Sequence, residues 1–178
     1  TVEPGIVWRD LEEALAKRKL ALRLYPSSAP SSTVGGWLAQ GGFGYGSFQY
    51  GAFPDSVVSA RVVLPNGEVR EFVGEDIALI ADAEGITGII TEDTISVQPW
   101  EPETVIGARF AESDQLAKAL EAIVDAEVPL WSVSFINPEM VRMKNARPPK
   151  QEHGETVAEH RPEMPEAYVA VFVFRGSL

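Results

Sequence analysis

The segment that most constrains this chain is residues 26–51, in which seven glycines follow a run of prolines and hydroxyl side chains. Glycine has no Cβ to separate the backbone from a ligand, so several N–H groups can approach a phosphate without help from lysine. The composition therefore predicts a loop that binds an anion closely. A surface loop without a ligand has the same composition, so that alternative stays open.

The common nucleotide-binding motifs do not explain this segment. Gly42 and Gly44 begin a GxG pattern, but Ser47 stands where the third glycine of GxGxxG belongs, and no strand and helix bracket the pattern closely. The chain also lacks a GxxxxGK[ST] sequence. A Rossmann site and a P-loop are both disfavoured.

Charge and composition exclude several other classes of protein. The 178 residues carry 15 basic and 26 acidic side chains, a net charge of −11, which argues against a nucleic-acid binder. With 45% apolar residues the chain is an ordinary globular sequence, and no run reaches the roughly 20 apolar residues of a membrane span. The first 15 residues lack the layout of a signal peptide, so we expect a soluble, cytoplasmic protein. The absence of cysteine excludes disulfides, thiolate metal ligands and a cysteine nucleophile.

The first hundred residues predict a mixture of helix and strand. Trp8, Leu11 and Leu15 have helical spacing, and Asp10 with Glu13 could form a capping box. The predicted elements are a helix over 9–18, the loop over 26–51, strands over 57–64 and 68–73 around an Asn66-Gly67 hairpin turn, a short helix from Asp76 through Ala83, and a strand over 89–97.

Pro99 and Pro102 mark a boundary, after which the pattern starts again. We expect a strand over 104–110, a helix capped by Ser113, a strand over 131–136, a helix capped by Asn137 and ending near Asn145, a loop over 146–165, and a strand over 168–174 buried on both faces. This is an α+β order that stops before a closing helix and strand. The expected domains are 1–100 and 101–178.

Several strings, in order, resemble one known family. They are PSSAPSSTVGG over 26–36, AQGGFG over 39–44, YG at 50–51, DSVV from Asp55, VVLPNGE over 62–68 and AEGITGIIT over 83–91, with VEPG over 2–5 upstream. Their order and spacing resemble the FAD-linked oxidase family, which has the vanillyl-alcohol oxidase or PCMH-type FAD-binding fold. Within it, the glycolate oxidase subunit and D-lactate dehydrogenase group is the most similar branch.

The resemblance implies that FAD binds noncovalently, because members with covalent flavin often use histidine and residues 26–98 contain none. It places Thr33, Gly35 and Gly36 beside the pyrophosphate and flavin. The other implied cofactor-binding residues are Pro26, the serines Ser27, Ser31 and Ser32, the glycines Gly41, Gly42, Gly44 and Gly85, and, near the adenosine, Gly88, Ile89 and Ile90.

The resemblance also implies the architecture. We expect the second half of a PCMH-type FAD-binding domain, followed by the start of a ferredoxin-like cap domain. Family members carry a first pyrophosphate loop before the VEPG strand, and this sequence begins at that strand. The sequence is therefore expected to be a partial chain.

The second half offers few candidates for chemistry. His153 and His160 are too far apart for an HExxH pair, so we expect no metal site, and their acidic neighbours are more typical of a solvated loop. Arg142 and Arg147, in a basic cluster with Lys144 and Lys150, could bind a substrate carboxylate, although a solvated surface cluster has the same appearance.

Three functions remain open from the sequence. The first is a flavoprotein that oxidises a 2-hydroxy acid or related alcohol by hydride transfer to flavin N5, with an anionic small-molecule substrate. The second is a noncatalytic, truncated or subunit-type domain with weak or no FAD binding, serving in a homo-oligomer or beside a partner subunit. The third is a reductase of the same fold acting on an enol ether.

Overall fold

A computed structural model describes residues 1–148, 151–152, 155–156 and 163–176. The chain divides into two compact units. The first comprises Thr1–Glu103, Leu130–Ser132 and Phe174–Leu178, and the second comprises Thr104–Pro129 and Val133–Val173.

The first unit contains three α-helices, two 3-10 segments and five strands. The helices are α1 (Trp8–Ala16), α2 (Val34–Gln40) and α3 (Ser47–Tyr50), and the 3-10 segments are Phe53–Ser56 and Gly74–Leu79. The strands are β1 (Leu20–Leu22), β2 (Val57–Val63), β3 (Val69–Val73), β4 (Ile89–Ile95) and β5 (Val97–Pro99). The prediction of an uninterrupted loop over 26–51 is therefore wrong, since α2 and α3 lie within it.

The main sheet of this unit has the antiparallel order β3-β2-β4. The predicted hairpin is confirmed: Gly67 has φ +85°, and the Leu64 N–H donates to the Glu68 carbonyl at 2.8 Å. Ala60, Val62 and Phe72 are buried on one face of the sheet. A second, two-stranded sheet pairs β1 with β5 in antiparallel register.

Three aromatic rings form the centre of the core. Trp8 on α1 packs edge-on against Trp37 on α2 and against Phe53, with ring centroids 5.3 and 5.0 Å apart, and Trp37 stacks on Phe53 at 4.9 Å. All three are buried, and aromatic burial of this extent contributes several kcal/mol, on the order of 2–3 for each ring. This packing holds α2 against α1 although α2 contains two glycines.

Two predicted caps in this unit are wrong. Helix α1 begins at Trp8, and Asp10 and Glu13 form no capping box; the Trp8 N–H instead donates to the Ser32 carbonyl at 3.1 Å. Asp76 lies inside the 3-10 segment and pairs with Arg70 at 3.4 Å. At α1, a carbonyl distant in sequence thus accepts a bond from the start of the helix in place of the expected local cap.

A buried arginine joins distant parts of the first unit. The Arg175 guanidinium pairs with Glu103 at 2.8 Å, donates to the Leu22 carbonyl and lies 3.5 Å from the centroid of the Trp131 ring. The Trp131 indole N–H donates to the Arg23 carbonyl at 2.7 Å. A planar guanidinium suits this combination of ion pair and stacking.

The remaining elements lie wholly or mostly in the second unit. They are β6 (Glu103–Phe110), α4 (Ser113–Asp125), β7 (Ser132–Ile136), α5 (Pro138–Asn145), β8 (Gln151–Glu152), β9 (Glu155–Thr156) and β10 (Tyr168–Arg175). Strand β10 is central in the sheet order β6-β10-β7. Ala170 and Phe172 are buried on one face of β10, whereas the residues between and beside them are half-buried. The prediction of a strand buried on both faces is therefore confirmed for one face only. The predicted loop over 146–165 contains the short pair β8-β9, which is a further correction.

Of the two helix caps predicted in the second unit, one is confirmed and one is wrong. Asn137 caps α5 as predicted, its side-chain oxygen accepting from the Met140 N–H at 2.8 Å. Ser113 does not cap α4, because it is the first helical residue and Glu112 occupies the cap position. The Gln115 side chain accepts from the Ala111 N–H at 3.1 Å, just before the helix, and the Gln115 N–H itself donates to the Glu112 carbonyl at 3.2 Å.

Candidate functional site

A cavity of about 380 Å³ lies in the first unit beside the first turn of α2. Its walls come from the N-terminal segment, from α2 and from the residues that lead into β4. The lining residues are Pro4, Gly5, Thr33, Gly35, Gly36, Ala39, Gly85, Gly88, Ile89 and Ile90. None of these is charged, although the chain carries a net charge of −11. An anionic or planar ligand would meet no repelling side chain in this lining.

Three lining glycines, Gly35, Gly36 and Gly88, form what we call the floor of the cavity. A Cβ on Gly35 would lie 2.3 Å from the Pro4 Cβ, and one on Gly88 would lie 2.5 Å from a Val62 methyl carbon. A Cβ on Gly36 would lie 2.7 Å from the Thr33 hydroxyl oxygen. These glycines are required by the packing of the protein itself.

Two other lining glycines, Gly5 and Gly85, form the rim. A Cβ at either position would meet no atom within 4 Å, so the volume in front of them is open. Gly85 has φ +78°, which also favours glycine, whereas Gly5 has no positive φ. Neither local packing nor a positive φ therefore requires glycine at position 5 of the lining.

The backbone amides of this region are largely used by the protein. The Gly35 N–H donates to the Pro4 carbonyl at 2.9 Å, and the Gly36 N–H donates to the Thr33 hydroxyl at 3.2 Å. The Gly41 and Gly44 amides are similarly bonded, to the Trp37 carbonyl and the Ser47 hydroxyl. The expectation that these glycines present free amides to a phosphate is therefore wrong; at the floor they allow close packing instead.

Thr33 is the hydroxyl residue of the lining. Its oxygen caps α2 by accepting from Gly36, and a hydroxyl that accepts one bond still has its own proton to donate. Pro4, Ala39, Ile89 and Ile90 supply apolar surface around it. The lining thus combines one hydroxyl donor with walls that suit a flat, uncharged ring system.

Asp93 lies directly behind the floor. It is on β4 opposite Ala60, its backbone pairs with Val2, and its side chain is fully buried. A Cβ on Gly35 would lie 3.3 Å from one of its carboxylate oxygens. Burial raises the pKa of Asp93 from 3.8 to about 6.

The structure brings together half of the residues that the sequence put forward as cofactor-binding. Thr33, Gly35, Gly36, Gly85, Gly88, Ile89 and Ile90 all line the cavity, whereas Pro26, Ser27, Ser31, Ser32, Gly41, Gly42 and Gly44 do not. The sequence reasoning missed Pro4, Gly5 and Ala39 as lining residues. The VEPG string held the signal for the first two.

The predicted residues outside the cavity have structural roles of their own. The Ser31 and Ser32 hydroxyls donate to the Ser28 carbonyl within a single turn. Gly41 ends α2 with φ +72°. A Cβ on Gly44 would lie 2.2 Å from the Tyr25 carbonyl oxygen, in the bridge where Tyr25 pairs with Tyr45.

The candidate substrate arginines lie in the second unit. Arg142 is on α5, exposed, and paired with Glu139 at 4.0 Å and Glu166 at 3.8 Å. Arg147 follows the helix and is exposed. Within the described ranges no cluster of three or more possible metal-ligating side chains occurs, and His153 and His160 lie outside the described residues. None of the helices described is both long and apolar enough to cross a membrane.

Comparison with known proteins agrees with this geometry. Residues 1–72 match the model of an FAD binding domain family. The chain is 37% identical to the mitochondrial D-lactate dehydrogenase [cytochrome] of Arabidopsis thaliana, over 59% of this chain and 20% of that protein. It is 31% identical to the alkyldihydroxyacetonephosphate synthase of Dictyostelium discoideum, over 84% of this chain and 26% of that protein.

The fold gives the same result. A solved structure of alkyldihydroxyacetonephosphate synthase matches 98% of this chain with a TM-score of 0.78 and 26% identity, over 34% of that protein. The chain spans between about a fifth and a third of the length of these proteins. The α+β, PCMH-type fold expected from the sequence is confirmed, and so is FAD as the cofactor of the matching domain. The chain belongs to the FAD-linked oxidase family.

Proposed function

We propose that this chain supplies part of the FAD site of an FAD-dependent oxidoreductase that oxidises a small 2-hydroxy acid or related alcohol. The observation that carries the proposal is the uncharged cavity with glycines at its rim. Gly5 lines this cavity, and a Cβ there would touch no protein atom within 4 Å. The family membership supplies the identity of the ligand.

Bound FAD would supply the hydride acceptor, and the chain's own residues would position and shield the cofactor. The Thr33 hydroxyl would donate to a phosphate oxygen while its lone pair keeps the α2 cap. Ile89 and Ile90 would exclude water from the adenosine side. Because residues 26–98 contain no histidine, we propose that the cofactor is held noncovalently.

The proposed substrate class rests on the names of two relatives. Relatives are named D-lactate dehydrogenase and glycolate oxidase subunit, and both names refer to 2-hydroxy acids. Arg142 and Arg147 would bind the substrate carboxylate, for which Arg142 would have to exchange its two glutamate partners for the substrate. The proposal has three further parts. Residues 1–100 form the FAD-binding domain and are followed by a cap domain. The protein is cytoplasmic, and it assembles into a homo-oligomer.

The role of Thr33 can be tested by titrating FAD into the 178-residue chain and following flavin fluorescence. Thr33→Ser keeps both the cap and the donor, so its FAD affinity should match that of the parent. Thr33→Asp keeps an oxygen that can cap α2, but it places a negative charge in the lining and should weaken FAD binding by about tenfold or more. Equal affinity of all three proteins would contradict the placement of the phosphates beside Thr33.

A noncatalytic subunit domain is the second candidate, and the bonded amides of Gly35 and Gly36 favour it, because they reduce the number of donors available to a pyrophosphate. The two candidates differ in the absorption spectrum. Purified chain that carries or takes up FAD, with the flavin band near about 450 nm, supports the enzyme. Chain that stays colourless and leaves the fluorescence of added FAD unchanged supports the noncatalytic domain.

A further inference from the structure

The Asp93 carboxyl lies behind Gly35, one of the residues that line the cavity. Asp93 is fully buried on β4, and its carboxylate oxygen lies 3.3 Å from the position that a Cβ on Gly35 would take. Gly35 itself lines the cavity. A charge on this carboxyl would therefore act on a charged group in front of Gly35, because charges interact strongly across short distances in a poorly solvated region.

Nothing among the described residues compensates such a charge. Neither Asp93 oxygen receives a hydrogen bond from the described part of the chain. On the elements packed around it, α2 carries no charged residue, Glu3 of the N-terminal segment is exposed, and Arg61 of β2 pairs with Glu92 at 3.5 Å on the exposed surface. An ionised carboxylate here would be both desolvated and unpaired, which is strongly unfavourable.

We propose that the Asp93 carboxyl is protonated when FAD occupies the cavity, so that FAD binding takes up a proton and weakens as the carboxyl ionises. This inference rests on the proposed function, which places the FAD phosphates beside Thr33, two residues before Gly35 in the same lining. A pyrophosphate brings two negative charges toward a buried carboxyl, and like charges in a poorly solvated region disfavour simultaneous ionisation.

The Asp93 carboxyl titrates close to neutral pH, so its protonation affects FAD binding in that range. Because burial raises the pKa of Asp93 to about 6, the free chain holds the carboxyl largely ionised at about pH 7. Binding that requires the neutral form then takes up close to one proton. FAD affinity should fall by about tenfold or more between about pH 6 and pH 8.

The test is a series of FAD titrations from about pH 5 to pH 8, with the proton count measured by calorimetry in two buffers of different ionisation enthalpy. Asp93→Asn should bind FAD at about pH 8 as tightly as the parent does at about pH 5, with no proton uptake. Glu92→Gln is the matched control, because it removes one negative charge from the next residue, which is exposed and paired with Arg61. It should keep the pH dependence of the parent.

The outcomes distinguish the role of Asp93 from the FAD site itself. A pH dependence that disappears in Asp93→Asn and persists in Glu92→Gln supports the proposal. If the parent, Asp93→Asn and Glu92→Gln all bind FAD tightly and show the same pH dependence, the role of Asp93 is overturned and the FAD site remains. The same holds if all three bind FAD tightly and none of them shows a pH dependence. Failure of all three proteins to bind FAD at any pH overturns the proposed function, and the coupling with it.

Discussion

The floor and the rim of the cavity are both built of glycine, but for different reasons. At the floor, Gly35, Gly36 and Gly88 lie so close to other atoms of the protein that a Cβ would clash. At the rim, Gly5 and Gly85 face open volume. A glycine-rich sequence therefore contains both positions that are packed against the protein and positions that face open volume, and only the atoms opposite each glycine distinguish them.

The largest effect that would test this distinction is expected at the floor. Gly35→Ala places a methyl group 2.3 Å from the Pro4 Cβ, so either α2 or the N-terminal segment must move. We expect a loss of unfolding free energy of about 3 kcal/mol or more, together with loss of FAD binding. Denaturant unfolding measures the first quantity and fluorescence titration the second. A stable Gly35→Ala protein would show that the floor is not tightly packed.

A smaller effect is expected behind the floor, at Asp93. Its pKa is about 6 in the folded chain and near its ordinary 3.8 in the unfolded chain, so the unfolded state loses its proton first as pH rises. Stability is therefore lost between about pH 4 and pH 6 and does not return above that range.

Asp93→Asn removes this penalty while keeping the shape of the side chain. We expect the variant to exceed the parent by about 1–3 kcal/mol at about pH 7.5, and the difference to disappear near about pH 4. Denaturant midpoints across the pH range measure it, with Glu92→Gln as the control for a change of surface charge. A constant difference at all pH values would mean that Asp93 does not titrate as described.

Much of the fold could be predicted because local signals determined it. The Asn66-Gly67 pair specified its hairpin turn, and Asn137 specified the start of α5. Helix α2 could not be predicted in the same way, because its glycines disfavour helix and its formation depends on Trp37 packing against Trp8 and Phe53, which are distant in sequence.

The candidate site shows the same division. The strings around Thr33 and Gly88 predicted cofactor-binding residues, and half of all the residues predicted in this way line the cavity. The internal bonding of the Gly35 amide and the burial of Asp93 depend on the N-terminal segment crossing α2 and β4. No local pattern specifies that crossing, so neither feature could be read from residue types alone.

The most direct test of the central claim places a side chain at the rim where no protein atom opposes it. Gly5→Val fills part of the cavity, and Gly107→Val is the matched control, since Gly107 on β6 also has no atom within 4 Å of its Cβ position and does not line the cavity. Both variants should unfold within about 0.5 kcal/mol of the parent.

The measurement is the FAD dissociation constant of these two variants and the parent, obtained by fluorescence titration at one pH. We predict that Gly5→Val binds FAD about tenfold or more weakly while Gly107→Val binds as the parent does. If Gly5→Val is as stable as the parent and binds FAD equally well, this cavity is not the FAD site.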